Sequence, residues 1–136
     1  MENYKCVTSV QEIMDYIGDA KIVAFDYETA PDEPYRTEEK AALDPAKSHI
    51  VGCSFSVTEH TGIYVPVAHK VGRNMDSIAF FRFLQDFLSN RNLCKIAHNI
   101  AFESAMSYHQ NIVIQPPVYD TICAAQMTLK SNYEFR

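Results

Sequence analysis

Lys21-Ile22-Val23-Ala24-Phe25-Asp26 is a compact apolar run that ends in a charge, the pattern of a buried strand. Upstream, Ser9 to Tyr16 predicts a short helix, with Ser9 as N-cap, Glu12 three residues later, and Val10, Ile13 and Ile17 on one side. Thr29 to Ser48 has no apolar periodicity and is rich in Pro, Asp, Glu and Lys, so a long loop is expected there. Ile50 to Val57 and Gly62 to Pro66 predict two strands, separated at hairpin length by Thr58-Glu59-His60-Thr61. Asp76 to Leu88 is an amphipathic helix capped by Asp76 or Ser77, with Phe80, Phe81, Leu84, Phe87 and Leu88 as its inner stripe.

Leu93 to Ala97 is a further short strand, and Asn99 to Gln110 a helix with Phe102, Ala105, Met106 and His109 on one side. Val113 to Tyr119 is extended and broken by Pro116-Pro117, and Asp120 is placed as N-cap of a last helix through about Leu129. A hairpin followed by strand-helix alternation predicts an α/β fold, a mixed sheet flanked by helices. The expectation is a single domain over residues 1–136, incomplete at its C-terminal side because no element follows the last helix to finish the layer.

Composition adds exclusions. Apolar residues make up 47% and charged residues 21%, ordinary for a globular chain. No apolar stretch is long enough to span a bilayer and the N-terminus is polar, so no membrane contact is expected and the cytoplasm is the expected compartment. Cys6, Cys53, Cys94 and Cys123 form no C-x-x-C pair, which argues against a zinc site or a disulfide framework. The formal net charge of −5 argues against wrapping long nucleic acid, but not against handling a strand end through bound cations.

Asp26 and Glu28 lie two apart at a strand end and therefore project from one face. Two adjacent carboxylates need a cation or a shared proton, and hard oxygens suit Mg²⁺ or Mn²⁺. A solvated strand end explains the pair equally well. Glu103 falls in the first turn of the helix after Leu93–Ala97, where the helix dipole alone would account for it; capping alone would account for Asn99 and Asp120. The aromatic residues, 12% of the chain, could stack on bases, but Phe80, Phe81, Phe83 and Phe87 lie at core spacing. Arg36, Lys40 and Lys47 could meet phosphates, although a solvated loop explains them better. His60, His69, His98 and His109 accompany no Ser or Cys nucleophile; only His98 is placed near the strand-end site, as a hydrogen-bonding residue.

Order and spacing carry more than the pieces. Val23-Ala24-Phe25-Asp26-Tyr27-Glu28-Thr29 fits an apolar strand followed by D-x-E-T. His98, Asn99, Phe102 and Glu103 fit H-N-x-x-F-D with Glu in place of Asp, and Tyr119-Asp120-Thr121 is similar to F-D-T. The segment from Asp44-Pro45 through Ile50-Val51-Gly52, with Tyr64-Val65-Pro66-Val67 and His69, looks like a connecting hairpin. With these motifs, spread over roughly residues 20–130, the chain resembles the DEDD superfamily of 3′–5′ exonucleases, in particular the proofreading domain of family A DNA polymerases.

The resemblance implies a ribonuclease H-like fold and hydrolysis of the 3′-terminal phosphodiester of single-stranded DNA, releasing nucleoside monophosphates. It implies a two-metal site, Mg²⁺ or Mn²⁺ ions about 3.5–4 Å apart. Asp26 would bridge both ions, Glu28 would serve the water-activating ion and Glu103 the other, with Thr29, Asn99 and His98 near the terminal nucleotide. The third motif, a Tyr or His followed by a fourth carboxylate, has no counterpart up to Arg136. It is expected further on, with a polymerase domain beyond it as partner. These residues alone are then expected to be weak or inactive, and self-association through an unfinished layer is expected. One rival is a catalytically inactive exonuclease-fold module that serves a polymerase as a structural or strand-binding part. The other is a phosphatase of the haloacid dehalogenase type, since Asp26-Tyr27-Glu28-Thr29 is loosely like D-x-D-x-T, but its downstream Lys and Asp motifs are not evident.

Overall fold

A computed structural model describes residues 3–128. The strands are β1 (Tyr4–Cys6), β2 (Ile22–Pro31), β3 (Ser48–Ser56), β4 (Gly62–Pro66), β5 (Cys94–Ala97) and β6 (Val118–Asp120). The helices are α1 (Val10–Ile17), α2 (Ser77–Ser89), α3 (Ile100–His109) and α4 (Thr121–Thr128). One sheet takes the order β1-β4-β3-β2-β5-β6. The β2–β3 and β3–β4 pairs are antiparallel, while β1–β4, β2–β5 and β5–β6 are parallel. The expected mixed α/β sheet is the one formed.

Alternation along the central strands divides the sheet into two faces. Val23, Phe25 and Tyr27 of β2 are buried, as are Cys53 and Phe55 of β3 and Ile63 and Val65 of β4. They meet Ile13 of α1, the stripe Phe80, Leu84, Phe87 and Leu88 of α2, and Met106 of α3. Each side chain of the α2 stripe contributes about 1.5–3 kcal/mol by burial. Phe55, Phe83 and Phe87 lock the centre, with Phe55 edge-on to the other two at 5.8 and 5.2 Å. Asp76 caps α2 by accepting the Ala79 amide at 2.9 Å, and Ser9 caps α1 through Glu12 as expected. On the other face Asp26, Glu28 and Ser54 are exposed. Among the described residues no helix is long and apolar enough to cross a membrane.

Four expectations change. β1 was not anticipated: all three of its residues are exposed, so no burial pattern marks it, and it is held by parallel pairing with Gly62–Tyr64. β2 runs past Asp26 to Pro31, through a register shift at Glu28/Thr29, because Thr29, Ala30 and Pro31 find partners in Ile50, His49 and Ser48. The long loop shrinks accordingly and contains two 3₁₀ turns, Glu33–Tyr35 and Ala41–Leu43. In α3 the buried side is Glu103, Met106 and Ser107, whereas Ala105 and His109 are exposed. Val118–Asp120 alone of the extended segment joins the sheet; Pro116 and Pro117 have no amide hydrogen to give. The anticipated last residue of α4, Leu129, lies outside the described residues.

Candidate active site

Asp26 and Glu28 stand on the open face because Phe25 and Tyr27 take the alternate positions in the core. Tyr27, expected to pack, is 5% exposed, lies edge-on to Phe25 at 5.6 Å, and shares a 2.6 Å hydrogen bond with Ser107 of α3. Burial, foremost, holds its phenol well above the ordinary value, so it stays a neutral hydroxyl. β5 runs parallel beside β2, pairing Ile96 with Ala24, and α3 starts just beyond its end. The first turn of α3 therefore arrives beside Asp26.

That turn carries Glu103, which is 1% exposed. Burial, foremost, pushes its carboxyl up to about 8; its own backbone amide works against this, and the adjoining Asp26 carboxylate adds to it. Oε2 of Glu103 is buried without a hydrogen-bond partner. Two carboxyl groups in contact, one of them desolvated, need a shared proton or a cation. A cation of the hard, oxygen-seeking kind fits this donor set and would satisfy the orphaned oxygen.

Glu28 is held differently. Its Oε2 accepts a 3.0 Å hydrogen bond from the Tyr64 hydroxyl, which is also bonded to Nε2 of His69. Burial, then the hydrogen bond to Glu28 and its charge, keep the Tyr64 phenol well above its usual value and hence protonated. Among the described residues no three His, Cys, Asp or Glu side chains are grouped closely enough to hold a metal ion. The structure thus brings Asp26 and Glu103 together and leaves Glu28 on the same face in a separate hydrogen-bonded set.

The three residues expected near a nucleotide are placed as follows. Thr29 gives its hydroxyl to the Ala42 carbonyl at 2.6 Å, tying the end of β2 to the second 3₁₀ turn. His98 lines a cavity of about 960 Å³ on the open face together with Asp26, Ser54 and Tyr64, and its Nδ1 is 2.9 Å from the Thr121 hydroxyl. Asn99 precedes α3 but does not cap it with its side chain; its φ is 67°. The cap comes instead from Asp120, which accepts the amides of Asn99 (2.9 Å), Ile100 (3.1 Å) and Ile122 (3.0 Å). A single carboxylate so serves the starts of α3 and α4, and the expected capping role of Asp120 is extended. In the loop, Arg36 pairs with Glu33 at 2.8 Å, and Lys47 pairs with Glu38 beneath the ring of Tyr35.

Sequence reasoning missed Tyr64 and His69 as site residues and Ser107 as the partner of Tyr27. Tyr64 pairs with Ser54, which pairs with Asp26, so all three share a face, a register that only the folded sheet reveals. Nothing in the sequence points to Ser107, which lies far from Tyr27 along the chain.

A mixed sheet with carboxylates meeting at one edge and a helix delivering the second of them defines a ribonuclease H-like nuclease fold. The chain belongs to the 3′–5′ exonuclease family, which matches residues 1–133. It is 26% identical over 120 residues to DNA polymerase I of Chloroflexus aurantiacus, a match covering 88% of this chain and 12% of that protein. The fold is shared with Brucella melitensis NrnC solved with bound Mg²⁺, at a TM-score of 0.61 and 20% identity over 93% of this chain and 52% of that one. It is shared also with Escherichia coli RNase D, an exoribonuclease, at a TM-score of 0.61 and 15% identity over 98% and 31%.

Proposed function

We propose that the chain carries the Asp26–Glu28 and Glu103 motifs of a metal-dependent, proofreading-type 3′–5′ exonuclease domain that removes nucleoside monophosphates from a DNA 3′ end. The observation that carries this reading is the buried Glu103 carboxyl, with one oxygen unpartnered, set against Asp26 in a chain of the exonuclease family. Asp26 and Glu103 would hold a Mg²⁺ or Mn²⁺ ion between them, with Glu28 contributing from two residues along the same strand face. When bound, such ions polarise the scissile phosphodiester and make the attacking water acidic. The chain's own residues do the rest. Burial of Glu103 keeps one ligand dehydrated and fixed, and Asp120 fixes the helix that presents it. His98, on the cavity wall with Asp26, would meet the terminal nucleotide, and the side-chain carboxamide of the neighbouring Asn99, whose backbone amide is taken by Asp120, would do so beside it. Thr29 would act by holding the loop that borders the strand end. The DNA polymerase I relative supports DNA as substrate and a polymerase domain as neighbour; the third-motif carboxylate and its Tyr or His have no counterpart in these residues.

A second reading, an inactive module of the same fold, is favoured by Glu28 lying apart from the Asp26–Glu103 pair among the described residues and by Glu103 standing where the family motif has Asp. A 5′-labelled single-stranded DNA with Mg²⁺ or Mn²⁺ distinguishes the two, with an RNA of the same sequence in parallel. The expected result is slow, metal-dependent shortening from the 3′ end, abolished by Asp26→Asn and faster in a version extended through the third motif. If the extended version neither shortens the strand nor binds Mn²⁺ in calorimetry, the module reading replaces this one.

A further inference from the structure

We propose that Tyr64 is a positioning residue whose hydroxyl fixes the Glu28 carboxylate on the open sheet face, with His69 fixing that hydroxyl in turn. What Glu28 is fixed for rests on the exonuclease reading; that it is fixed does not.

Proton accounting gives the network a direction. Tyr64 has one hydroxyl hydrogen and donates it to Glu28 Oε2 at 3.0 Å. The second bond at Tyr64 Oη must then come from His69, so Nε2 carries the hydrogen. The run of donors from His69 through Tyr64 ends on a carboxylate, where each bond strengthens the next. Both aromatic rings are held: they meet edge-on at 5.5 Å and 72°. The peptide of His69 is clamped from both sides by Asn74, which accepts the amide at 2.9 Å and donates to the carbonyl at 2.9 Å.

The backbone makes room for this arrangement. Gly52 lies on β3 between its partners Glu28 and Pro66, and the Tyr64 phenol crosses directly over it. A Cβ at Gly52 would stand 1.9 Å from Tyr64 Oη. Any other residue would therefore displace the hydroxyl. Gly52, Tyr64, His69 and Asn74, from three chain segments, converge to hold one exposed carboxylate by one oxygen, leaving the other oxygen for a ligand. A residue that needed only solvent would not require them. Groups that orient a metal-binding carboxylate in this way are commonly worth about 10–100-fold in metal affinity.

The test uses the full chain and two readouts. Couplings of the Glu28 side-chain protons, by NMR without metal, report its rotamer; calorimetry with Mn²⁺ reports affinity. The expected result is one Glu28 rotamer in the parent and in His69→Gln, which keeps an N–H donor, and averaging in Tyr64→Phe and His69→Leu. Mn²⁺ affinity should fall about 10–100-fold in Tyr64→Phe and be unmoved by that change once Glu28 is Ala. Should Tyr64→Phe not fold, as judged by circular dichroism, the His69 pair carries the same comparison. An averaged Glu28 in the parent, an unaltered one in folded Tyr64→Phe and His69→Leu, or an equal affinity loss in the Glu28→Ala background would overturn the proposal. Rotamer averaging in Tyr64→Phe with no Mn²⁺ binding by the parent would leave the positioning role standing and remove the metal reading.

Discussion

Glu103→Gln should abolish most of the pH dependence of metal-free stability near neutrality. Glu103 is 1% exposed and its carboxyl is raised to about 8, by burial first and the Asp26 charge after it. In the unfolded chain it returns to about 4.3. The native form holds the proton more tightly, so the contribution is complete below the unfolded value and is lost as pH rises through the folded one. One unit of separation corresponds to about 1.36 kcal/mol, and two units of pH, from 5 to 7, set a ceiling of about 2.7 kcal/mol. Asp26 is exposed and solvent screens its charge, which lowers the expected loss to roughly 1–2 kcal/mol. Gln keeps the shape and carries no charge at any of these pH values. Urea midpoints in EDTA from about pH 4 to 8 should fall for the parent and stay flat for the variant, the two curves converging only at about pH 4, below the unfolded value. Parallel curves would refute the reasoning: Glu103 would then be ionised and solvated, and the orphaned oxygen would have no consequence.

Asp120→Ala removes the acceptor of three backbone amides and should cost about 1–2 kcal/mol in urea unfolding. Burial opposes ionisation of Asp120 but those amides outweigh it and hold the carboxyl below its usual value; its contribution is thus present above the unfolded value and lost as pH falls through the folded one. A variant with the parent's acid transition would show that water replaces the cap. Gly52→Ala should leave the fold intact, since the group it strikes is the far end of a flexible side chain, and should reproduce the Glu28 rotamer averaging of Tyr64→Phe in NMR. Tyr27→Phe should lower stability by about 1–2 kcal/mol by stranding the Ser107 hydroxyl in the core, measurable as a reduced urea midpoint, and Tyr27→Phe with Ser107→Ala should recover part of it.

The central strands and α2 were legible because their burial pattern is their cause: Val23, Phe25 and Tyr27 alternate, and Phe80, Leu84, Phe87 and Leu88 repeat at helical spacing. β1 and the extension of β2 were not, because both are held by backbone pairing to strands distant in sequence, for which side chains carry no signal. The expected stripe on α3 held for Phe102 and Met106 but not for Ala105 and His109, for a related reason. Phe102 and His109 suggested an apolar side, but the helix packs against Tyr27, whose hydroxyl selects Ser107. For the candidate site, the motif spacing anticipated the meeting of Asp26 and Glu103. The link of Glu28 to Tyr64 needs the β2–β3–β4 register and the absence of a side chain at Gly52, which are three-dimensional facts.

The division of labour between α2 and α3 explains why the fold can carry an unsatisfied carboxyl at all. α2 buries four large apolar side chains, each worth about 1.5–3 kcal/mol. α3 turns inward Glu103, Met106 and Ser107, two of which are polar. Leaving one oxygen of Glu103 without a partner costs about 1–3 kcal/mol, and stability alone would select an apolar residue there. The surplus on α2 offsets that cost without depending on it, because its stripe lies on Phe55 and Phe25 rather than on the carboxyl pair. A local rule broken just beyond the end of β5, beside a second carboxylate, supports the metal-binding role proposed for Glu103. The same inference does not extend to Tyr27 and Ser107, which satisfy each other fully in the core. The unmet requirement on this helix therefore falls on Glu103, the residue that reaches Asp26.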